Sequence, residues 1–114
     1  QSSIELKMLT ICETTFFTAE YPNYWTNEQY NDFKIYLAEN PNAGDVEPNS
    51  GGIRKLRWVG KSKGKQSGVR VIYYNRLKNG QIWLLTLYSK DTIKQLEKST
   101  LRKLVEILND SLND

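Results

Sequence analysis

Hydrophobic and polar positions alternate in some parts of the chain and recur at helical spacing in others. Ile4, Leu6 and Met8 alternate with Glu5 and Lys7 and lead into Leu9-Thr10-Ile11-Cys12, which predicts a first strand over about 4–12. Thr14 or Thr15 is placed to cap a short helical turn over Phe16, Phe17 and Ala19. That turn must stop before Pro22, because the residue ahead of a proline resists helix. Thr26-Asn27-Glu28-Gln29 then has the capping-box form, in which the Thr26 hydroxyl accepts from the Gln29 amide and the Gln29 side chain returns to the Thr26 N–H. Trp25 and Tyr30 stand at the two hydrophobic-staple positions around it. Tyr30, Phe33 and Leu37 fall at i, i+3 and i+7, one face of a helix that ends at Asn40-Pro41. Residues 41–52 carry two prolines and three glycines and read as a loop.

The second half changes period. Ile53 to Val59 alternates by two, so Arg54, Leu56 and Trp58 share one face while Lys55, Arg57 and Val59 share the other. Residues 60–68 (GKSKGKQSG) are a loop rich in glycine, serine and lysine. Val69 to Leu77 is β-branched and aromatic, a strong strand. Asn79-Gly80 predicts a tight hairpin turn with positive φ at both central residues. Ile82 to Tyr88 returns as a strand that is apolar on both faces, so it is expected to be central and covered by helices on at least one side. Asp91 to Lys98 reads as a helical turn or short helix, and Ser99 as the N-cap of a final helix. Leu101, Leu104, Val105, Leu108 and Leu112 form the amphipathic stripe of that helix. The predicted order is β-α-α-β-β-β-α: an α+β fold with a small, mainly antiparallel sheet, an N-terminal helical hairpin and a C-terminal helix.

Composition narrows the chemistry. The 114 residues suit one domain, 1–114, with 1–7 readable as an extension; the chain opens on Gln1, and Met8 is an alternative start. Hydrophobic residues at 39% and charged residues at 25% are ordinary for a soluble globular protein. No run approaches the roughly 18 apolar residues of a membrane span, and no signal peptide is visible. The single cysteine, Cys12, excludes an internal disulfide framework and fits a reducing cytoplasm. The absence of histidine removes histidine-based triads, histidine-ligated metals and histidine pH switches. Carboxylates are sparse around the basic segment: Asp45, Glu47 and Asp91 read as isolated loop or cap positions. No metal site and no cofactor is therefore expected.

The net charge of +3 hides an uneven distribution. Residues 1–50 hold two basic and eight acidic residues, 51–90 hold ten basic and none acidic, and 91–114 hold four basic and five acidic. A 40-residue block without a carboxylate suggests a polyanionic partner, whereas a merely solvated face usually mixes signs. Lys61, Lys63 and Lys65 alternate with small residues that let a phosphate approach the backbone, but the nucleotide-binding P-loop pattern is absent. Lysine content alone does not distinguish RNA, DNA or acidic protein. If the strands either side of the loop pair, Lys55, Arg57 and Arg70 point into one concave surface; the alternative is that Arg57 or Arg70 pairs with an acid of the N-terminal helices. Trp58, Tyr73, Tyr74, Trp83 and Tyr88 are interleaved with these cations. Aromatics so placed can stack unpaired bases, although Trp83 reads as core, and Tyr73, Tyr74 and Tyr88 fit either role because a tyrosine can bury its ring and keep its hydroxyl wet. RNA would bring its own nucleophile, the 2′-hydroxyl. Without histidine, a lysine among other cations is the expected base, with arginine holding the phosphorane charge.

The runs GGIRKLRWVGKSKGKQSGVRVIYY (51–74) and IWLLTLYSK (82–90), with GDV at 44–46, resemble the HigB branch of the RelE/ParE toxin superfamily over about 10–112. The resemblance implies the toxin of a bacterial type II toxin–antitoxin system. Such a toxin is a cytoplasmic, metal-independent, ribosome-dependent mRNA endoribonuclease (mRNA interferase) that inhibits translation by cleaving the A-site codon. It implies a HigA-like helix-turn-helix antitoxin as partner, together with the ribosome, mRNA and 16S rRNA contacts. Within the superfamily a ParE-like DNA gyrase inhibitor is the alternative, and outside it a non-enzymatic RNA- or DNA-binding module. Carried over, Arg70 falls on the arginine that contacts the scissile phosphate, and Lys55 and Arg57 fall on or near basic catalytic positions. Lys63 and Lys90 complete the implied catalytic set, with Lys61 and Lys65 as RNA-binding residues; a stacking aromatic, for which Tyr73 and Tyr88 are taken as RNA-binding residues, must come from Tyr88, Tyr73 or Tyr74. One departure stands out: RelE-like toxins place a tyrosine several residues after the last strand, and Ile93 to Lys98 contains none.

Overall fold

A computed structural model describes residues 9–60, 68–89, 102, 103, 105 and 106. Its first strand, β1, is Thr10–Glu13, which overlaps the end of the predicted segment and runs one residue past it; residues 1–8 lie outside the described ones. Thr14 caps α1 (Thr15–Glu20) by accepting from the Phe17 amide at 3.1 Å. The Thr14 hydroxyl also donates to the Leu85 carbonyl at 2.8 Å, tying the helix start to the sheet. A 3-10 turn over Tyr21–Asn23 absorbs Pro22. The capping box forms at Thr26 and Gln29 and opens α2 (Asn27–Glu39). The staple is an aromatic stack, with Trp25 and Tyr30 ring centroids 5.5 Å apart. Tyr30, Phe33 and Leu37 are the buried residues of α2, the face expected from their spacing.

The loop after α2 contains an element that periodicity did not reveal. Asp45–Val46 forms a two-residue strand, β2, antiparallel to β3 (Ile53–Trp58). β4 (Val69–Arg76) pairs antiparallel with β3 and with β5 (Gln81–Ser89). β1 pairs with β5 in parallel, giving the order β1-β5-β4-β3-β2. The sheet is thus mixed, with its other pairings antiparallel. β5 lies between β1 and β4 and buries residues in a core on each face, which accounts for its apolar character on both. The hairpin at Asn79-Gly80 exists, but its turn differs from the expected one. Leu77–Asn79 form a 3-10 turn and only Gly80 is left-handed, at φ 69. Four residues separate the paired Arg76 and Gln81, and loops of that length are commonly built round a type I turn.

Each face of the sheet carries its own core. On one, Val69, Val71, Tyr73, Ile82, Leu84 and Leu87 pack against Phe17, Trp25, Phe33 and Leu37 of the helical hairpin. On the other, Ile53, Ile72 and Leu85 pack with Val105. A β-bulge in β5 supplies both: Leu84 pairs with Tyr73 and Thr86 with Ile72, so Leu85 is extra and turns to the second face. Arg102, Lys103, Val105 and Glu106 are helical, and Val105 is buried. The other stripe residues, Ser99 and the segment Asp91 to Lys98 lie outside the described residues. Among the described residues no helix is long and apolar enough to cross a membrane.

Two buried tyrosines make the fold sensitive to alkali. Burial raises the Tyr30 hydroxyl above its ordinary value of 10.0, and its hydrogen bond to the Glu13 carboxylate raises it further. Burial also raises Tyr73, although the Gly44 N–H bonded to its oxygen works the other way. Both are neutral in the fold, so their stabilisation is intact below pH 10 and is lost as the pH climbs above it, where the unfolded chain releases these protons first. Urea midpoints are expected to fall above about pH 10, and less steeply in Tyr30→Phe. An unchanged slope in that variant would show that Tyr30 is not responsible.

Candidate functional site

The pleat sorts the basic block into two faces. Successive strand residues point to opposite sides, and directly paired residues share a side. Arg57 pairs with Arg70, and Arg70 with Tyr88, so one row of three side chains crosses β3, β4 and β5. The adjacent row runs from Asp45 through Lys55 and Ile72 to Thr86. Both rows lie on the face opposite the helical hairpin. Ala43, Asp45, Lys55, Leu56, Arg57 and Arg70 line an open cleft there of about 420 Å³. The structure therefore brings Lys55, Arg57 and Arg70 together as the alternation predicts. Arg54 goes to the other face, where its Nη1 donates to the Gly44 carbonyl at 2.7 Å.

The electrostatics of the cleft are unbalanced. Like charges directly opposite each other on paired strands repel, and Arg57 and Arg70 are such a pair. Arg70 Nη1 is buried without a hydrogen-bond partner among the described residues. An unmet buried donor costs about 1–3 kcal/mol, and more when charged. Arg57 is exposed and lies against the backbone of Gly68: a Cβ at that glycine would sit 3.5 Å from Arg57 Nη2. Neither arginine pairs with an acid of the N-terminal helices. Among the described residues the cleft cation with a carboxylate partner is Lys55, whose Nζ is 3.7 Å from Glu47 Oε2. The face thus presents two guanidinium groups to an anion, with an ammonium–carboxylate pair at the rim.

Tyr73 requires a correction. It is fully buried on the hairpin side, its hydroxyl donates to the Pro41 carbonyl at 2.8 Å, and it accepts from the Gly44 N–H at 2.9 Å. It anchors the loop after α2 and has no surface to offer RNA. The reason was present in the spacing: Tyr73 is three residues from Arg70, and an odd interval on a strand reverses the face. Its partner Gly44 tolerates no side chain, because a Cβ there would meet Lys55 O and the Tyr73 ring at 2.9 Å. Tyr88 is half-buried in the row with Arg70, and Tyr74 and Trp83 pack beside it against the second core. Trp58 turns to the hairpin, with Phe33 and Tyr36 rings 5.4 and 4.9 Å away. Lys61, Lys63, Lys65 and Lys90 lie outside the described residues.

Sequence reasoning passed over Asp45 and Glu47 as isolated loop acids. The available signal was the acid–Val46–acid alternation placed just before the Gly51-Gly52 turn into β3, a hairpin in miniature. Among the described residues no three His, Cys, Asp or Glu side chains stand together to hold a metal ion. No protein-family model matches the chain.

Proposed function

We propose that this protein is a RelE-like toxin of a bacterial type II toxin–antitoxin pair, a ribosome-dependent endoribonuclease that cuts mRNA in the A site. The observation that carries this reading is the buried, unpartnered Nη1 of Arg70, beside Arg57 on the paired strand in an open cleft. A phosphodiester supplies the acceptors that this pair lacks, and bidentate arginine recognition suits its geometry. The cations stand on paired strands, so little reorganisation is needed as charge develops on the phosphorane. In the reaction the 2′-oxygen bonds to phosphorus, the P–O5′ bond breaks, the 2′-hydroxyl loses its proton and the 5′-oxygen gains one. The products carry a 2′,3′-cyclic phosphate and a 5′-hydroxyl.

Supporting the reading are the acid-free block 51–90 and the resemblance of 51–74 to HigB sequences. Lys61, Lys63 and Lys65 would meet mRNA or 16S rRNA, and Tyr88, beside Arg70, would stack a base. A HigA-like helix-turn-helix antitoxin would complete the pair. The test is a reconstituted translation reaction with a defined mRNA whose ends are mapped with and without ribosomes. Ribosome-dependent cuts within A-site codons, leaving cyclic phosphate ends, are the expected result. Intact mRNA in the presence of ribosomes would overturn the reading, and inhibition of gyrase supercoiling in a parallel assay would replace it with the ParE-like one.

A further inference from the structure

The cleft also contains a group suited to take the 2′-hydroxyl proton, and it is not a lysine. We propose that Asp45 is the general base of this site. The inference rests on the endoribonuclease reading. Arginine does not deprotonate in proteins, so Arg57 and Arg70 are confined to binding the phosphate. Lys55 is held by Glu47 at 3.7 Å. Asp45 lines the same cleft, is exposed, and makes no hydrogen bond or ion pair among the described residues. Its pairing with Lys55 puts its side chain on the face that carries Lys55, Arg57 and Arg70.

The spacing suits the reaction. β3 alone separates the strands of Asp45 and Arg70, and Arg70 stands two residues along, opposite Arg57 and not Lys55, so their backbones lie about 12 Å apart. A 2′-oxygen roughly 3–3.5 Å from its phosphorus is in near-attack position, with room for one hydrogen bond to the base and one to the guanidinium. The step balances. The 2′-hydroxyl proton passes to an Asp45 carboxylate oxygen as the O2′–P bond forms. The P–O5′ bond breaks with its electron pair on O5′, which takes a proton from the Lys55 ammonium. Both side chains then exchange protons with solvent. The charged groups facing Asp45 are Lys55 and Arg57 on β3 and Arg70 on β4, with Glu47 on its own segment.

Asp45→Asn makes two measurements move in opposite directions. Ribosomes programmed with an all-ribose A-site codon report single-turnover cleavage. The same ribosomes carrying a 2′-deoxy codon, which cannot be cut, report affinity. With the carboxylate gone, cleavage is expected to slow about 10²–10⁴-fold. Affinity is expected to rise, by up to about fivefold, because one negative charge has left a cationic cleft. Asp45→Glu, which keeps a carboxylate, recovers part of the rate. If Asp45→Asn cuts as fast as wild type, or faster, the carboxylate only repels RNA and the inference falls. If cleavage and affinity drop together, Asp45 has a structural role and the inference falls equally. Failure of the wild type to cut the all-ribose codon would instead sink the endoribonuclease reading itself.

Discussion

Arg70→Ala is expected to lower single-turnover mRNA cleavage by about 10²–10³-fold, the usual effect of deleting one donor to a developing oxyanion. The fold should remain intact. Arg70 makes no described hydrogen bond that holds the structure together, its Nη1 is buried without a partner, and it stands opposite another arginine. Removing it relieves a like-charge pair and an unmet donor, so the urea midpoint is expected to stay level or rise slightly. This combination separates a substrate group from a structural one, since losing a structural arginine would lower activity and stability together. Arg70→Lys should rescue poorly, because an ammonium keeps the charge but not the planar fork. Cleavage close to wild type in Arg70→Ala would remove the cleft from the mechanism. A large drop in its urea midpoint would assign Arg70 to the fold.

The second large effect concerns stability. Phe33→Ala is expected to cost about 3–5 kcal/mol, as deletion of a fully buried aromatic ring commonly does. Phe33 is completely buried, with ring centroids of Trp25 at 4.9 Å and Trp58 at 5.4 Å, so it joins α2 to both the staple and β3. A domain of this size is stable by roughly 5–15 kcal/mol, so the variant retains only part of its stability. Equilibrium urea unfolding would show a lower midpoint with an unchanged slope, and Phe33→Leu would lose less. A loss below about 1 kcal/mol would mean that the hairpin is not seated on the sheet through this ring.

The cleft shows how far a sequence reading reaches. That Lys55, Arg57 and Arg70 share a face follows from the two-residue period once β3 and β4 pair, and the glycine-rich interval between them makes that pairing local. Two features were not legible. β2 is two residues long, too short for periodicity to register, so Asp45 and Glu47 read as loop acids although they sit against Lys55. Tyr73 was grouped with the RNA-facing aromatics by composition, although its parity with Arg70 already assigned it to the other side.

The sequence by itself determined the local states: a cap at Thr14 or Thr15, the capping box at Thr26, the buried stripe of α2, the alternation in β3 and β4, and the charge asymmetry. Each depends on neighbours a few residues apart and on fixed helical or strand periods. The tertiary structure alone decided the parallel docking of β1 on β5, the Leu85 bulge that divides β5 between two cores, and the placing of Asp45 in the arginine cleft. These depend on contacts between segments tens of residues apart, where the register is chosen by how two surfaces pack and no local period records it.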